Sequence, residues 1–116
     1  MSNRFSRESR VRNPREFDAV YASGFYSADH LLVINALPRP DSQRRLGLSI
    51  SKKVGNAVTR NRWKRLIRES FRCSQAKLPT GWDLVVRPKR GAMPDRFQIE
   101  QSLLNLMRRL ENRRPR

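Results

Sequence analysis

The sequence predicts an α+β sandwich, one sheet with helices packed on it. Apolar stretches of strand length occupy 30–37 (HLLVINAL), 44–51 and 82–87 (WDLVVR). Interleaved with them are apolar stripes of helical period: Phe17, Val20 and Tyr21; Trp63, Leu66, Ile67 and Phe71; then Ile99, Leu103, Leu106, Met107 and Leu110. With 116 residues there is room for one core of useful size. The expected organisation is therefore a single domain over 1–116, with 1–9 and 111–116 flexible.

Arg10–Val11 reads as a short edge strand. Asn13-Pro14-Arg15-Glu16 is a helix start, with Asn as N-cap, Pro at the first helical position and Glu closing a capping box; Gly24 ends this helix. The strand at 30–37, the turn cluster PRPDSQ at 38–43 and the strand at 44–51 read as an antiparallel hairpin. Asn56 caps a basic helix that runs to about Cys73. A polar linker ends at Pro79-Thr80-Gly81, the strand 82–87 stops at Pro88, and Asp95 caps a last helix with Gln98 completing a second capping box. The order from the residues is β-α-β-β-α-β-α.

A net charge of +16 and a pI near 11.7 fit a basic tail, a membrane-surface peptide or a folded nucleic-acid binder. Leu, Ile, Val and Phe make up about a quarter of the chain, above the ~20% below which disorder is expected, and they are periodic. A folded domain follows. No apolar run approaches the ~20 residues of a membrane span, and the N-terminus is too polar for a signal peptide. Cys73 is alone, so no intrachain disulfide forms; this usage suits a reducing cytoplasm. His30 is also alone and reads as a strand-edge residue rather than a metal ligand.

Catalytic chemistry finds little to work with. The ten carboxylates are scattered singly, without the paired spacing that holds two metal ions. The one His has neither nucleophile nor orienting acid at a recognisable spacing, and no phosphate-binding GxxxxGK[ST] loop is present. Binding is better provided for. Over 52–72, Lys52, Lys53, Arg60, Arg62, Lys64, Arg65, Arg68 and Arg72 face one acid, Glu69. At ~100° per residue, Thr59, Trp63, Leu66, Ile67, Ser70 and Phe71 share one side of the helix. Asn61, Lys64, Arg65, Arg68 and Arg72 share the other, with Arg60 and Arg62 on the borders. Such a helix packs by its apolar stripe and offers cations at fixed spacing to a polyphosphate. Arg bridges phosphate oxygens or stacks on bases, whereas Lys supplies a point charge. Asn61 could read a base edge or a 2′-hydroxyl, or be solvated. Phe17 and Tyr21 are either core residues or the border of a cleft in which unpaired bases stack.

Arg60-Asn61-Arg62 within KKVGNAVTRNRWKRLIRESFR resembles the RNR signature of the bacterial ribonuclease P protein subunit family. The likeness extends to Arg10-Val11, to Glu16-Phe17 with Val20, Tyr21 and Gly24, to GLSISKK and to Trp82-Asp83-Leu84-Val85-Val86, covering about residues 10–110. The resemblance implies an α-β-β-β-α-β-α fold like that of a ribosomal protein and of domain IV of elongation factor G, with a left-handed β-α-β crossover. It implies a catalytic RNA as partner, which removes the 5′ leader of precursor tRNA using magnesium held mainly by the RNA and substrate. By position, Lys52, Lys53, Asn56, Arg60, Asn61, Arg62, Lys64, Arg65 and Arg68 would meet the catalytic RNA, and Phe17, Tyr21, Ser49 and Ser51 would border the leader cleft. Two residues depart from the family pattern: Trp63 replaces a usual aliphatic, and Asn35 stands where some relatives carry an aromatic facing the cleft. A ribosomal protein or general RNA chaperone is the alternative reading. A DNA-binding helix module is disfavoured, because no short helix precedes the basic one as in a helix-turn-helix.

Overall fold

Asn13 opens the first helix as the sequence predicts: its side chain accepts from the Glu16 N–H at 2.9 Å, and the Glu16 carboxylate accepts from the Asn13 N–H in return. A computed structural model of the chain describes residues 10–114. In order they form α1 (Pro14–Ala22), β1 (Phe25–Ala28), β2 (Leu32–Pro38), β3 (Arg44–Leu48), a 3-10 turn (Lys52–Val54), α2 (Ala57–Cys73), β4 (Trp82–Pro88) and α3 (Arg96–Asn112). This mixed α+β order, α-β-β-β-α-β-α, is the one the family resemblance implies. It corrects the β-first order read from the residues. Arg10 makes only an isolated parallel bridge to Leu46, with the Val11 N–H donating to the Leu46 carbonyl at 3.1 Å. The first full strand is β1, whose four residues FYSA are too few to show an alternation.

The hairpin expected over 30–51 does not form. The sheet order is β1-β2-β4-β3, with β4 antiparallel to β2 and parallel to β3. Trp82–Val86 is buried on both faces, the pattern of a central strand, and it inserts between the two predicted partners. The 38–43 turn serves this insertion instead of closing on itself. Arg39 N–H donates to the Gly81 carbonyl, while the Gly81 and Trp82 N–H groups donate to the Gln43 carbonyl. Gly81 has φ +78°, and a Cβ there would lie 3.1 Å from the Asp41 carbonyl oxygen, so glycine is required where the chain enters the sheet. The hairpin that does form joins β1 to β2, and Asp29 turns it by accepting from the Leu31 and Leu32 N–H groups. His30 is exposed in that turn.

Strand alternation divides the core. Leu32, Ile34, Ala36, Leu46, Leu84 and Val86 face the main cluster, completed by Trp63, Ile67 and Phe71 of α2 and by the predicted α3 stripe from Ile99 to Leu110. The opposite face carries Val85 and Gly47, covered by α1 through Val20 and Phe17. Helices therefore lie on both sides of the sheet, α1 alone on one. Helix α3 starts at the Asp95 cap, which accepts from the Gln98 N–H at 2.9 Å without a returning bond among those described. The segment expected to fray at 111 begins inside α3. Beyond it, Arg114 stacks on Trp82 at 4.9 Å and donates to the Thr80 and Gly81 carbonyls. Residues 1–9 and 115–116 lie outside the described residues.

Candidate nucleic-acid interface

Helix α2 has the two faces its sequence requires. Trp63, Ile67, Ser70 and Phe71 are buried, with Leu66 and Thr59 half-buried at the stripe's margins. Asn61, Arg62, Arg65 and Arg68 are exposed, and Arg60 and Lys64 are half-buried. Asn56 caps the helix by accepting from the Thr59 N–H at 2.9 Å. Ser51 caps the preceding 3-10 turn by accepting from the Lys53 N–H at 3.1 Å, leaving Lys52 and Lys53 exposed. A Cβ on Gly55 would come within 2.9 Å of Thr59 Cγ2, so the missing side chain lets the basic turn lie close against the helix start.

Two groups of cations differ in what holds them. Arg39, Arg44, Arg45, Arg109, Arg113 and Arg114 are engaged in holding the fold, through carboxylates or backbone carbonyls. Lys52, Lys53, Arg60, Arg62, Lys64, Arg65 and Arg68 make no ion pair among the described residues. Glu69, the one acid on the helix, is taken by Arg72 at 3.1 Å. A run of uncompensated charge on a rigid helix raises the stability cost of self-repulsion, which a polyanion relieves. At the β3 edge of the sheet, Lys64 and Arg68 line a cleft of about 200 Å³ together with Arg10, Arg12 and Phe17.

Across that edge lies the second predicted region. Phe17 rests on Gly47, where a Cβ would be 2.9 Å from the ring. Tyr21 is 39% exposed and its ring lies 5.7 Å from the Arg87 guanidinium. Ser49 donates its N–H to the Val86 carbonyl, continuing β3 toward the exposed Ser51. Phe17, Tyr21, Ser49 and Ser51 thus follow one side of the molecule, with Val20 as the truly buried member of the α1 stripe. Arg87, Tyr26 and Gly47 were not singled out by sequence reasoning. Period-2 alternation places Arg87 on the face of Val85, but only the register shows what lies beside it.

An ion-pair network fixes α1 over this face. Asp83, 5% exposed, receives Arg45 at 2.8 Å and Arg39 at 3.0 Å, and Arg45 reaches Glu16 of α1 at 2.5 Å. Burial pushes the Glu16 carboxyl up, but the Arg12 and Asn13 N–H groups and the Arg45 guanidinium outweigh it and hold the group below its ordinary value. The bond to Asp83 raises Arg45 above its ordinary value against desolvation. No group of His, Cys, Asp and Glu able to hold a metal ion occurs among the described residues, and no described helix is long and apolar enough to cross a membrane.

A basic helix beside a cleft on a mixed sheet is an arrangement that comparison with known proteins can place. Residues 5–111 match the family model described as Ribonuclease P. The chain belongs to the ribonuclease P protein family. It is 42% identical over 113 residues to the ribonuclease P protein component of Oleidesulfovibrio alaskensis, covering 92% of this chain and 90% of that one. It is 40% identical over 105 residues to that of Brevibacillus brevis, covering 89% and 83%. Among solved structures it resembles the RNase P protein of Thermotoga maritima, with a TM-score of 0.79, 30% identity, and 86% and 96% of the two chains covered. The RNase P protein of Staphylococcus aureus gives a TM-score of 0.75 at 31% identity, covering 86% and 93%. The role that follows is that of a protein subunit of ribonuclease P, an RNA-binding component of a ribonucleoprotein that processes tRNA.

Proposed function

We propose that this ribonuclease P protein docks onto the catalytic RNA through the outer face of α2 and the Lys52–Lys53 turn, and guides the 5′ leader of precursor tRNA along the α1 cleft. The observation that carries this reading is the set of seven cations, Lys52, Lys53, Arg60, Arg62, Lys64, Arg65 and Arg68, without acidic partners among the described residues. Structural arginines elsewhere in the same chain are paired or hydrogen-bonded. Asn56 orders the helix start, and Asn61 stands between Arg60 and Arg62 where it can reach a base edge or 2′-hydroxyl. Phe17, Tyr21, Ser49 and Ser51 border the path of the single-stranded leader, which stacks on the aromatic faces.

Cleavage itself belongs to the RNA subunit. The described residues include no cluster of three or more His, Cys, Asp and Glu side chains, and in this reading the magnesium that hydrolysis uses sits mainly on RNA and substrate phosphates. The protein screens RNA–RNA repulsion, which lowers the magnesium needed for the two RNAs to come together. It acts in the cytoplasm, where a lone exposed Cys73 stays reduced. The test is cleavage of precursor tRNA at low magnesium by the RNA subunit alone, by RNA with protein, and by protein freed of nucleic acid. Strong stimulation by the protein and no cleavage without RNA are expected. Absence of stimulation rejects the docking role, and cleavage by protein alone rejects the division of labour.

A further inference from the structure

Helix α3 turns a face outward that the core does not use. Phe97, Gln101, Leu104 and Arg108 fall within about 60° of one another at ~100° per residue, and none of them is buried. Phe97 is 70% exposed. Beside Leu104 and Arg108 the helix borders a groove of about 450 Å³, whose other wall is Lys77, Leu78 and Pro79 of the segment between α2 and β4. That wall is held in place. The Lys77 and Leu78 N–H groups donate to the Ser74 carbonyl at 2.9 and 3.1 Å. Arg44 of β3 donates to the Leu78 carbonyl at 2.8 Å, and Arg114 to the Thr80 carbonyl at 2.9 Å. A groove fixed on both sides costs little further ordering when a ligand enters it.

The charge left over on this face is positive. Both acids of α3 are already engaged. Glu100 pairs with Arg96 at 3.7 Å, and Glu111 accepts from the Trp82 indole N–H at 3.0 Å and from Arg114 at 3.3 Å. Lys77 and Arg108 are exposed, and neither makes an ion pair among the described residues. The groove therefore sets two uncompensated cations around the aliphatic side chains of Leu78, Pro79 and Leu104. This differs in kind from the outer face of α2. There, cations crowd along one helix, a density that suits a polyphosphate. Here they are sparse, and no aromatic ring lines the groove for a base to stack on. Two cations flanking an apolar floor match carboxylates on either side of an apolar side chain, the pattern of a protein interface. A second copy of this chain is opposed by its own net charge of +16.

We propose that the outer face of α3 docks an acidic amphipathic segment of a protein partner. Its apolar residues rest on Phe97 and in the Leu78–Leu104 groove, and its carboxylates meet Lys77 and Arg108. From Phe97 to Arg108 the helix rises about 16 Å, so a partner helix of about three turns spans the surface. No residue of this surface belongs to the proposed RNA contacts, and partner and RNA bind together. The probe is a fluorescein-labelled peptide in which Leu recurs at helical spacing among Glu residues, with a scramble of equal composition as control. Anisotropy is measured at physiological salt with the full-length protein and with the reconstituted ribonuclease P holoenzyme. The patterned peptide is expected to bind both with the same Kd, and the scramble about tenfold more weakly. Phe97→Ala and Arg108→Glu, both at exposed positions, are each expected to weaken the patterned peptide by about tenfold and to leave cleavage of precursor tRNA unchanged. Arg108→Lys should retain binding. No binding, equal binding of the two peptides, or binding that survives Phe97→Ala and Arg108→Glu overturns the proposal, the last two reducing it to attraction by net charge. Binding lost in the holoenzyme makes this face an RNA interface and overturns it as well. Stimulation of cleavage is read in the same samples, so each of these failures leaves the docking of α2 on the catalytic RNA separately tested.

Discussion

Gly47 and Trp63 show how single residues set the positions of the two proposed binding regions. Gly47 sits on β3 where Phe17 crosses it, with a prospective Cβ 2.9 Å from the ring and 3.0 Å from the Val11 side chain. Gly47→Ala therefore has to displace Phe17, and overpacking of this kind costs about 1–3 kcal/mol. Urea denaturation is expected to show that loss, and a variant as stable as the parent would mean that Phe17 is not held against the strand. Trp63 is the largest side chain under the basic face and is completely buried, its indole N–H donating to no partner. Its place on the buried side is the one the helical period predicts. Residue type and period sufficed for Trp63. For Gly47 they did not, because the reason for glycine lies on another element, and only the folded arrangement brings Phe17 to it.

At the scale of elements, helix caps and stripes were legible and strand neighbours were not. Asn13, Asn56 and Asp95 each accept from the N–H three residues on, as their sequences predict. These are local interactions, complete within one turn. The 30–51 hairpin failed because pairing is a competition among strands far apart in sequence, and Trp82–Pro88, buried along nearly its whole length, takes the position between β2 and β3. The same distance in sequence hides the anchor of α1, in which Glu16 meets Arg45 and, through it, Asp83. Glu16 binds its proton less readily folded than unfolded. Its contribution is therefore fully present above the ordinary carboxylate value, 4.5, and is lost as pH falls through the lower folded value. Below pH 4.5 the urea midpoint of the parent is expected to decline more steeply than that of Glu16→Gln. Parallel profiles would mean that the Glu16–Arg45 pair does not anchor the helix.

For the whole molecule, a charge of +16 on 116 residues is a statement about partners more than about fold. What composition could not show is the division of labour among the cations. Arg39 and Arg45 neutralise Asp83, Arg109 and Arg113 donate to carbonyls of β1, and Arg114 clasps Trp82. The cations of α2 and its preceding turn, Arg72 apart, make no ion pair among the described residues and are the proposed RNA contacts. The RNR block was readable from the sequence because its signature is contiguous. The cleft was readable only in outline, since Tyr26, Asn35 and Arg87 come together through strand register.

The measurement that bears most directly on the outer face of α2 as the docking surface is the salt dependence of Kd for the RNA subunit. The parent should be compared with the Arg60→Ala, Arg62→Ala double variant, and with Arg109→Ala as a control for charge alone. Each phosphate contact removed lowers the log–log slope by roughly 0.7–0.9. The double variant is expected to bind more weakly with a slope reduced by the loss of two contacts, while Arg109→Ala keeps the parent's slope. Equal slopes for the parent and the double variant, or an equal reduction in the control, would contradict the account.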